Sequence, residues 1–207
     1  MSFETVILAD GSFPQNQVPI GLLRDAKRII CCDGSVKNLL EAGLEPFAIV
    51  GDLDTVTEEI FLRYRNILYR DSDQDTNDLT KAFRWCCERG YREISILGAT
   101  GKREDHTLGN VSLLAEYVRD AYIIMVTDTG IFTPFMKSCK IESFPGQQVS
   151  IFSVNPETRI TSSGLKYKLE SLKLQNWWRG TLNEATGNSF ELMFETGPII
   201  VYQKFRD

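Results

Sequence analysis

The sequence predicts an α/β N-terminal domain on a mainly parallel, Rossmann-like sheet, followed by an all-β sandwich domain. Three observations carry this reading. Over the first two thirds, short apolar runs alternate with segments of helical period, the pattern of a parallel sheet with crossover helices. After about residue 133 the helical period is lost, and Pro134, Pro145, Gly146 and Pro156 punctuate runs of strand length. The residues after each apolar run of the first part are Gly, Asp or both, which suits the carboxyl edge of an open α/β sheet. The expected domains are therefore residues 1–133 and 134–207.

The strands of the first part are read at Thr5-Val6-Ile7-Leu8-Ala9, Arg28-Ile29-Ile30-Cys31-Cys32, Ala48-Ile49-Val50, Ile67-Leu68-Tyr69, Ile94-Ser95-Ile96-Leu97 and residues 122–126. A helix over 35–42 stops at Gly43, with Pro46 beyond. Thr55 and Glu58 have capping-box spacing before a helix near 58–65. Residues 76–89 carry an apolar stripe at Leu79, Ala82, Phe83 and Cys86 and end at Gly90. Residues 105–119 repeat the idea, with Leu108, Val111, Leu114 and Ala115 expected inward. In the second part, Gln148-Val149-Ser150-Ile151-Phe152, Phe190-Glu191-Leu192-Met193-Phe194 and Ile199-Ile200-Val201-Tyr202 read as strands. A β domain of this size is near the lower limit for a lone core, so it is expected to dock on the first domain or on a second subunit.

Composition narrows the function. Hydrophobic content of 43% and charged content of 25% are those of an ordinary soluble globular protein. A net charge of −5 without a basic run argues against a nucleic-acid surface. No apolar stretch reaches membrane-spanning length, and Met1-Ser2-Phe3-Glu4 lacks the regions of a signal peptide, so a cytoplasmic location is expected. Cys31, Cys32, Cys86, Cys87 and Cys139 are odd in number and show no metal-ligand spacing, which predicts reduced thiols.

Chemistry gathers at the strand ends: Asp10-Gly11-Ser12, Asp33-Gly34-Ser35, Gly51-Asp52-Leu53-Asp54, Asp71-Ser72-Asp73, Gly98-Ala99-Thr100-Gly101 and Asp128-Thr129-Gly130. Six such ends on one sheet edge predict a pocket; six ordinary turns would show the same letters. Asp52 and Asp54 point to one side if the backbone stays extended, and like charges so placed repel unless a cation lies between them. A hard divalent ion suits them, Mg²⁺ where phosphates are handled. Gln74, Asp78 and Lys81 share a face opposite the apolar stripe if their helix starts early. The glycines of the 98–101 loop let the backbone approach an anion, and Lys102 and Arg103 add positive charge, Arg with a bidentate grip on phosphate. His106, the single histidine, reads as a structural hydrogen-bonding group. Carboxylates for a metal and an Arg/Gly loop for phosphate point to metal-assisted transfer from a nucleotide.

Taken together, Asp33-Gly34, Gly51-Asp52-Leu53-Asp54, Asp73-Gln74-x-Thr76-x-Asp78-x-x-Lys81 and Gly98-x-x-Gly101-x-Arg103-x-Asp105-His106-x-x-x-Asn110 resemble, in order and spacing, the thiamine pyrophosphokinase family. Ser163-Gly164-Leu165-Lys166-Tyr167 and Gly180-Thr181-Leu182-Asn183-Glu184 extend the resemblance to the C-terminal part. It implies an α/β domain, a β-sandwich domain, a homodimer through the latter, and diphosphate transfer from ATP to the hydroxyl of thiamine with release of AMP. It places Asp33, Asp52, Asp54 and Asp78 around Mg²⁺. It gives catalytic roles to Asp52, Asp54, Asp78 and Arg103. It lines the ATP site with Asp33, Gly34, Gln74, Thr76, Lys81, Gly98, Gly101, Arg103, Asp105 and His106. For thiamine it implies Asp54, Gln74, Asp78, Thr181, Asn183 and a tryptophan (Trp177 or Trp178), the C-terminal residues reaching in from the partner subunit. Lys102 replaces a common glycine and Leu182 a common serine. No general base is assigned; Asp54 or Asp78 can orient the hydroxyl. Two other readings remain: diphosphate transfer to another hydroxymethyl heterocycle such as a pterin, and a nucleotide- or thiamine-binding module without catalysis.

Overall fold

Six short apolar runs form a wholly parallel sheet in the computed structural model, which describes residues 3–206. They are β1 (Thr5–Leu8), β2 (Arg28–Cys32), β3 (Ala48–Gly51), β4 (Leu68–Arg70), β5 (Glu93–Leu97) and β6 (Tyr122–Val126). Their order is 4-3-2-1-5-6, with Ile7 opposite Ile30 on one side and Ile96 on the other. The central strands are buried on both faces, which is why they read as unbroken apolar runs rather than alternating ones. The order turns back at β1, and such a switch opens a crevice beyond the carboxyl ends of the strands. Four strands lie to one side of the switch and two to the other, whereas a Rossmann sheet has three on each side.

The helices are α1 (Gln17–Asp25), α2 (Ser35–Glu41), α3 (Glu58–Tyr64), α4 (Asp78–Glu88) and α5 (Glu104–Tyr117). Their ends follow local chemistry. Gly43 and Gly90 take the left-handed conformation that stops α2 and α4. Asn77 caps α4 by accepting from the Thr80 N–H at 2.9 Å. The stripe expected on α4 is buried throughout, at Leu79, Ala82, Phe83 and Cys86.

Several sequence expectations are corrected. The cap of α3 is Thr57, which accepts from the Ile60 N–H; the Thr55 N–H instead points to Asp33 Oδ2 at 3.5 Å. Leu108 is exposed, while Val111, Leu114 and Ala115 are buried. α1 was not legible, because its nine residues include Pro19 and Gly21, although Asn16 caps it as the rules require. Cys31, Cys32 and Cys86 are buried and free, and Cys87 and Cys139 are half-buried and free.

The described residues form two compact units, 3–113 with 120–128, and 114–119 with 129–206. The second group is β-rich. One antiparallel array has the order β12 (Asn183–Glu184), β9 (Gln148–Ser153), β14 (Ile199–Lys204), β7 (Gly130–Phe135). The other runs β11 (Leu172–Lys173), β10 (Arg159–Ser163), β13 (Ser189–Met193), β8 (Cys139–Glu142). Val149, Ile151 and Val201 from the first array meet Ile160, Phe190 and Leu192 from the second in one core. Pro134, read from the sequence as punctuation, lies inside β7 opposite Ile200. No helix among the described residues is long and apolar enough to cross a membrane.

Two glycines test this packing in opposite directions. A Cβ at Gly180 would overlap the Ile151 carbonyl oxygen, whereas Gly21 in α1 faces open space. In urea melts Gly180→Ala should lose about 1–3 kcal/mol, because the obstruction is backbone, and Gly21→Ala should gain roughly 0.5–1 kcal/mol from helix propensity.

Candidate active site

Asp33, the residue after β2, has φ +34 and is 4% exposed. Its N–H still takes a ladder bond to the Val50 carbonyl at 3.0 Å, which seats the residue against β3. There Leu53 adopts φ +65, and the Asp54 N–H donates to Asp52 Oδ1 at 3.2 Å. The backbone between Asp52 and Asp54 is thus a left-handed turn, not the extended strand end expected. The turn still converges the carboxylates. Oxygens of Asp33, Asp52 and Asp54 lie within 4.8 Å of one another. Gly51 makes room for this: a Cβ there would meet Asp33 Cβ at 2.9 Å and Asp78 Oδ1 at 3.2 Å. Asp78 therefore borders the same group from the start of α4.

The electrostatics favour a cation. Burial pushes the Asp33 carboxyl up to about 6, against hydrogen bonds from Thr55 and with the Asp78 charge adding to the rise. Its Oδ1 is buried and has no hydrogen-bond partner. An orphaned, desolvated carboxylate oxygen beside two further aspartates is the donor set of a hard divalent ion, so the residues present fit Mg²⁺. Asp52 is held below the ordinary carboxylate range, chiefly by the Asp54 N–H. On α4, Lys81 is 3% exposed and pairs with Asp78 at 3.1 Å. Burial pulls its ammonium down, but the bond to and charge of Asp78, with Asp52 and Asp71 beyond, set it above its ordinary value.

A cavity of about 360 Å³ adjoins this cluster, lined by the ends of β1, β2 and β5 and the starts of α4 and α5. Asp10, Asp78, Lys102, Arg103, His106 and Asn110 are among its lining residues. One wall is tied to β1: the Gly11 N–H donates to the Gly98 carbonyl at 2.6 Å, and the Ser12 N–H to that of Thr100 at 2.8 Å. Gly98 and Gly101 have φ +65 and +93, and a Cβ at Gly101 would meet Ser12 Oγ at 2.5 Å, so glycine is required there. Arg103 is exposed and paired with Asp105, Nε to Oδ1 at 3.0 Å; that guanidinium holds the Asp105 carboxyl down to about 2.

The other site expectations divide. Gln74 is exposed and lies outside α4, which begins four residues later because Asn77 is its cap; only Asp78 and Lys81 share the helical face. Thr76 is bound to Asp73 at 2.9 Å. The end of β6 is spent on structure, since Asp128 Oδ1 accepts from the N–H groups of Gln15 and Asn16. In the β-rich group, Trp178 is 72% exposed and its carbonyl accepts from the Thr181 hydroxyl at 2.7 Å. Asn183 is buried, and its amide grips the backbone N–H and carbonyl of Tyr167 at 3.1 and 2.7 Å. Sequence reasoning assigned no role to Asp10 or Asn77. Asn77 Nδ2 donates to Asn110 Oδ1 at 3.2 Å, and Asn110 Nδ2 to the Ala99 carbonyl at 2.9 Å, so two amides span from α4 to the glycine loop. The legible signal was an Asn directly before a helix.

A family model described as the thiamin pyrophosphokinase catalytic domain matches residues 21–126, and one described as the thiamin pyrophosphokinase substrate-binding domain matches residues 130–202. The chain belongs to the thiamin pyrophosphokinase family. Thiamin pyrophosphokinase 1 of Caenorhabditis elegans is 30% identical over 169 residues, 74% of this chain and 69% of that one. Thiamine pyrophosphokinase of Bacillus subtilis is 32% identical over 152 residues, 70% of this chain and 66% of its own length. Among solved structures, thiamine pyrophosphokinase from Bacillus subtilis aligns with TM-score 0.80 at 23% identity, covering 98% of this chain and all of that one. Thiamin pyrophosphokinase from Candida albicans aligns with TM-score 0.80 at 18% identity, covering 99% and 93%. These structures share the fold; thiamin pyrophosphokinase activity is the function that family membership carries.

The buried Asp33 has a measurable consequence. Its folded carboxyl holds a proton more tightly than an ordinary unfolded aspartate, so the metal-free protein should lose stability as pH rises from about 4 to about 6. Above that window the full cost persists. Asp33→Asn should flatten this limb and raise metal-free stability at pH 7 by up to ~3 kcal/mol. Chemical denaturation across the pH range checks it; an unchanged limb in the variant would show that Asp33 titrates normally.

Proposed function

We propose that this chain uses Mg²⁺ and ATP to transfer a diphosphate group to the hydroxymethyl oxygen of thiamine, giving thiamine diphosphate and AMP. The carrying observation is the convergence of Asp33, Asp52 and Asp54, with one buried carboxylate oxygen unpartnered, beside a cavity whose far wall is a glycine loop with Lys102 and Arg103. Asp33, Asp52 and Asp54 would hold the ion, with Asp78 bordering them; when bound it neutralises phosphate charge and polarises phosphoryl oxygens. In the transfer, the thiamine oxygen forms a bond to the β-phosphorus of ATP as the bond from that phosphorus to the α–β bridging oxygen breaks. AMP leaves with the bridging oxygen, and the hydroxyl proton is lost.

Such a transfer depends on positioning and charge more than on a strong base. Lys81 is buried, charged and fixed by Asp78, so it places a cation at the edge of the acidic group without closing it. Arg103 supplies a fork for phosphate oxygens once it exchanges from Asp105. Asp54, the exposed member of the acidic group, is the carboxylate we assign to orient the hydroxyl. We assign the exposed Trp178, with Thr181, to the thiazolium and pyrimidine faces of the cationic substrate, which aromatic rings favour. Asn183 serves there by holding the 165–167 turn. We further propose a homodimer through the β-rich part and a cytoplasmic site of action.

Incubation with Mg²⁺, ATP and thiamine should release AMP in step with thiamine diphosphate; ADP as the sole co-product, or turnover of a pterin alcohol in place of thiamine, would reject the proposal. Asp52→Asn and Asp54→Asn should each cut turnover by about a hundredfold or more while leaving the melting curve intact. Near-normal turnover in both would reduce the pair to a turn. Trp178→Ala should raise KM for thiamine and leave KM for ATP unchanged.

A further inference from the structure

Lys102 and Asp10 face each other across the mouth of the cavity, Nζ to Oδ1 at 3.0 Å. We propose that this ion pair is an exchangeable placeholder: Asp10 keeps Lys102 extended at the cavity, and a bound polyphosphate takes Lys102 from Asp10. This deepens the ATP-dependent reading above and rests on it.

Three features support exchange rather than a structural tie. The loop does not need the pair. Two backbone hydrogen bonds, from Gly11 to Gly98 and from Ser12 to Thr100, already join residues 9–12 to residues 98–101. The close seating of Gly101 on Ser12 locks the register of that junction. Second, both side chains are about half exposed, 53% for Lys102 and 48% for Asp10, and ion pairs in that setting contribute little to stability. Third, the competing ligand is stronger. An ammonium shared with one carboxylate will prefer the several charges of a triphosphate, to which it can offer up to three donors.

Asp10 is also placed to feel the loss. Its other oxygen, Oδ2, lies 3.4 Å from where a Cβ of Gly34 would be, next to Asp33. Once Lys102 moves to phosphate, Asp10 becomes an uncompensated negative charge at the border of the acidic cluster. A cation bound there is then held more tightly. Polyphosphate and divalent cation should therefore bind with positive coupling, and by linkage the coupling runs equally in both directions.

The two members of the pair then have different effects, which a structural tie would not give. Lys102→Met should raise KM for ATP about tenfold at low ionic strength, with a smaller change in kcat and a weaker dependence of KM on salt. Asp10→Asn frees Lys102, so KM for ATP should fall or hold, while the tightening of Mg²⁺ by ATP should shrink. The double variant should match Lys102→Met. Equal rises in KM for the two single variants would overturn the exchange and leave a loop tie, as would an unchanged KM in Lys102→Met. Titration of the wild-type protein with a non-hydrolysable ATP analogue and Mg²⁺ separates the two levels of argument. No binding of the analogue would overturn the ATP reading and this inference together. Binding with turnover, but with the variants ranked otherwise, would overturn this inference alone.

Discussion

A buried carboxylate with one oxygen left unpartnered governs the geometry around it. Asp33 sits at the end of a strand enclosed on both faces, in a left-handed conformation that non-glycine residues seldom adopt. Burial of an unpaired charge costs several kcal/mol unless the group protonates or meets a cation. Thr55 relieves only part of that cost. Asp52, Asp54 and Asp78 add like charge, and Lys81, the one lysine buried among the described residues, is committed to Asp78. Gly51 is glycine because Asp33 Cβ and the Asp78 carboxylate occupy the space its side chain would need. Strand end, turn and glycine thus meet at a group of acids whose mutual repulsion protonation or a bound cation would relieve.

The opposite wall obeys a different rule. Residues 98–101 are pressed on the end of β1 by backbone hydrogen bonds, which demand glycine twice and leave side-chain chemistry to Lys102, Arg103 and His106. Lys102 and Arg103 are exposed and paired locally with Asp10 and Asp105, interactions weak enough to be surrendered to a ligand. An acidic wall anchored on the buried Asp33 therefore faces a basic wall that is exposed and exchangeable. A metal-bound polyphosphate, with positive and negative parts, is complementary to both. The amide bridge from Asn77 to Asn110 fixes the distance between the walls without adding charge to either.

Much of this was legible in the sequence because parallel strands and helix stops are written locally. Unbroken apolar runs such as 28–32 and 122–126 became strands at those positions, and Gly43 and Gly90 stopped their helices. The acidic group was found for a partly mistaken reason: an extended backbone was assumed at Asp52-Leu53-Asp54, and a left-handed Leu53 achieves the convergence instead. What stayed hidden depends on contacts distant in sequence. The Asp10–Lys102 pair joins residues 92 positions apart, and the service of Asp128 to Gln15 and Asn16 spans more than a hundred. Each carries an ordinary turn residue whose partner no local pattern names. Helix α1 was lost to Pro19 and Gly21, although proline is tolerated in a first turn.

The β-rich part shows where local strain carries meaning. Leu182 has φ +60 and is 78% exposed, two properties that folding alone does not favour together. Strain of this kind costs of order 1–3 kcal/mol and persists where surrounding structure imposes it. Here the imposing groups are on the page: the Thr181 hydroxyl is anchored on the Trp178 carbonyl, and the buried Asn183 amide holds Tyr167 from both its N–H and its carbonyl. The leucine is thus held outward between two anchored neighbours, and Trp178 is exposed as well. Leu182 falls within the segment matched by the family's substrate-binding domain, and the serine common at that position would offer a hydroxyl where this chain offers an isobutyl group.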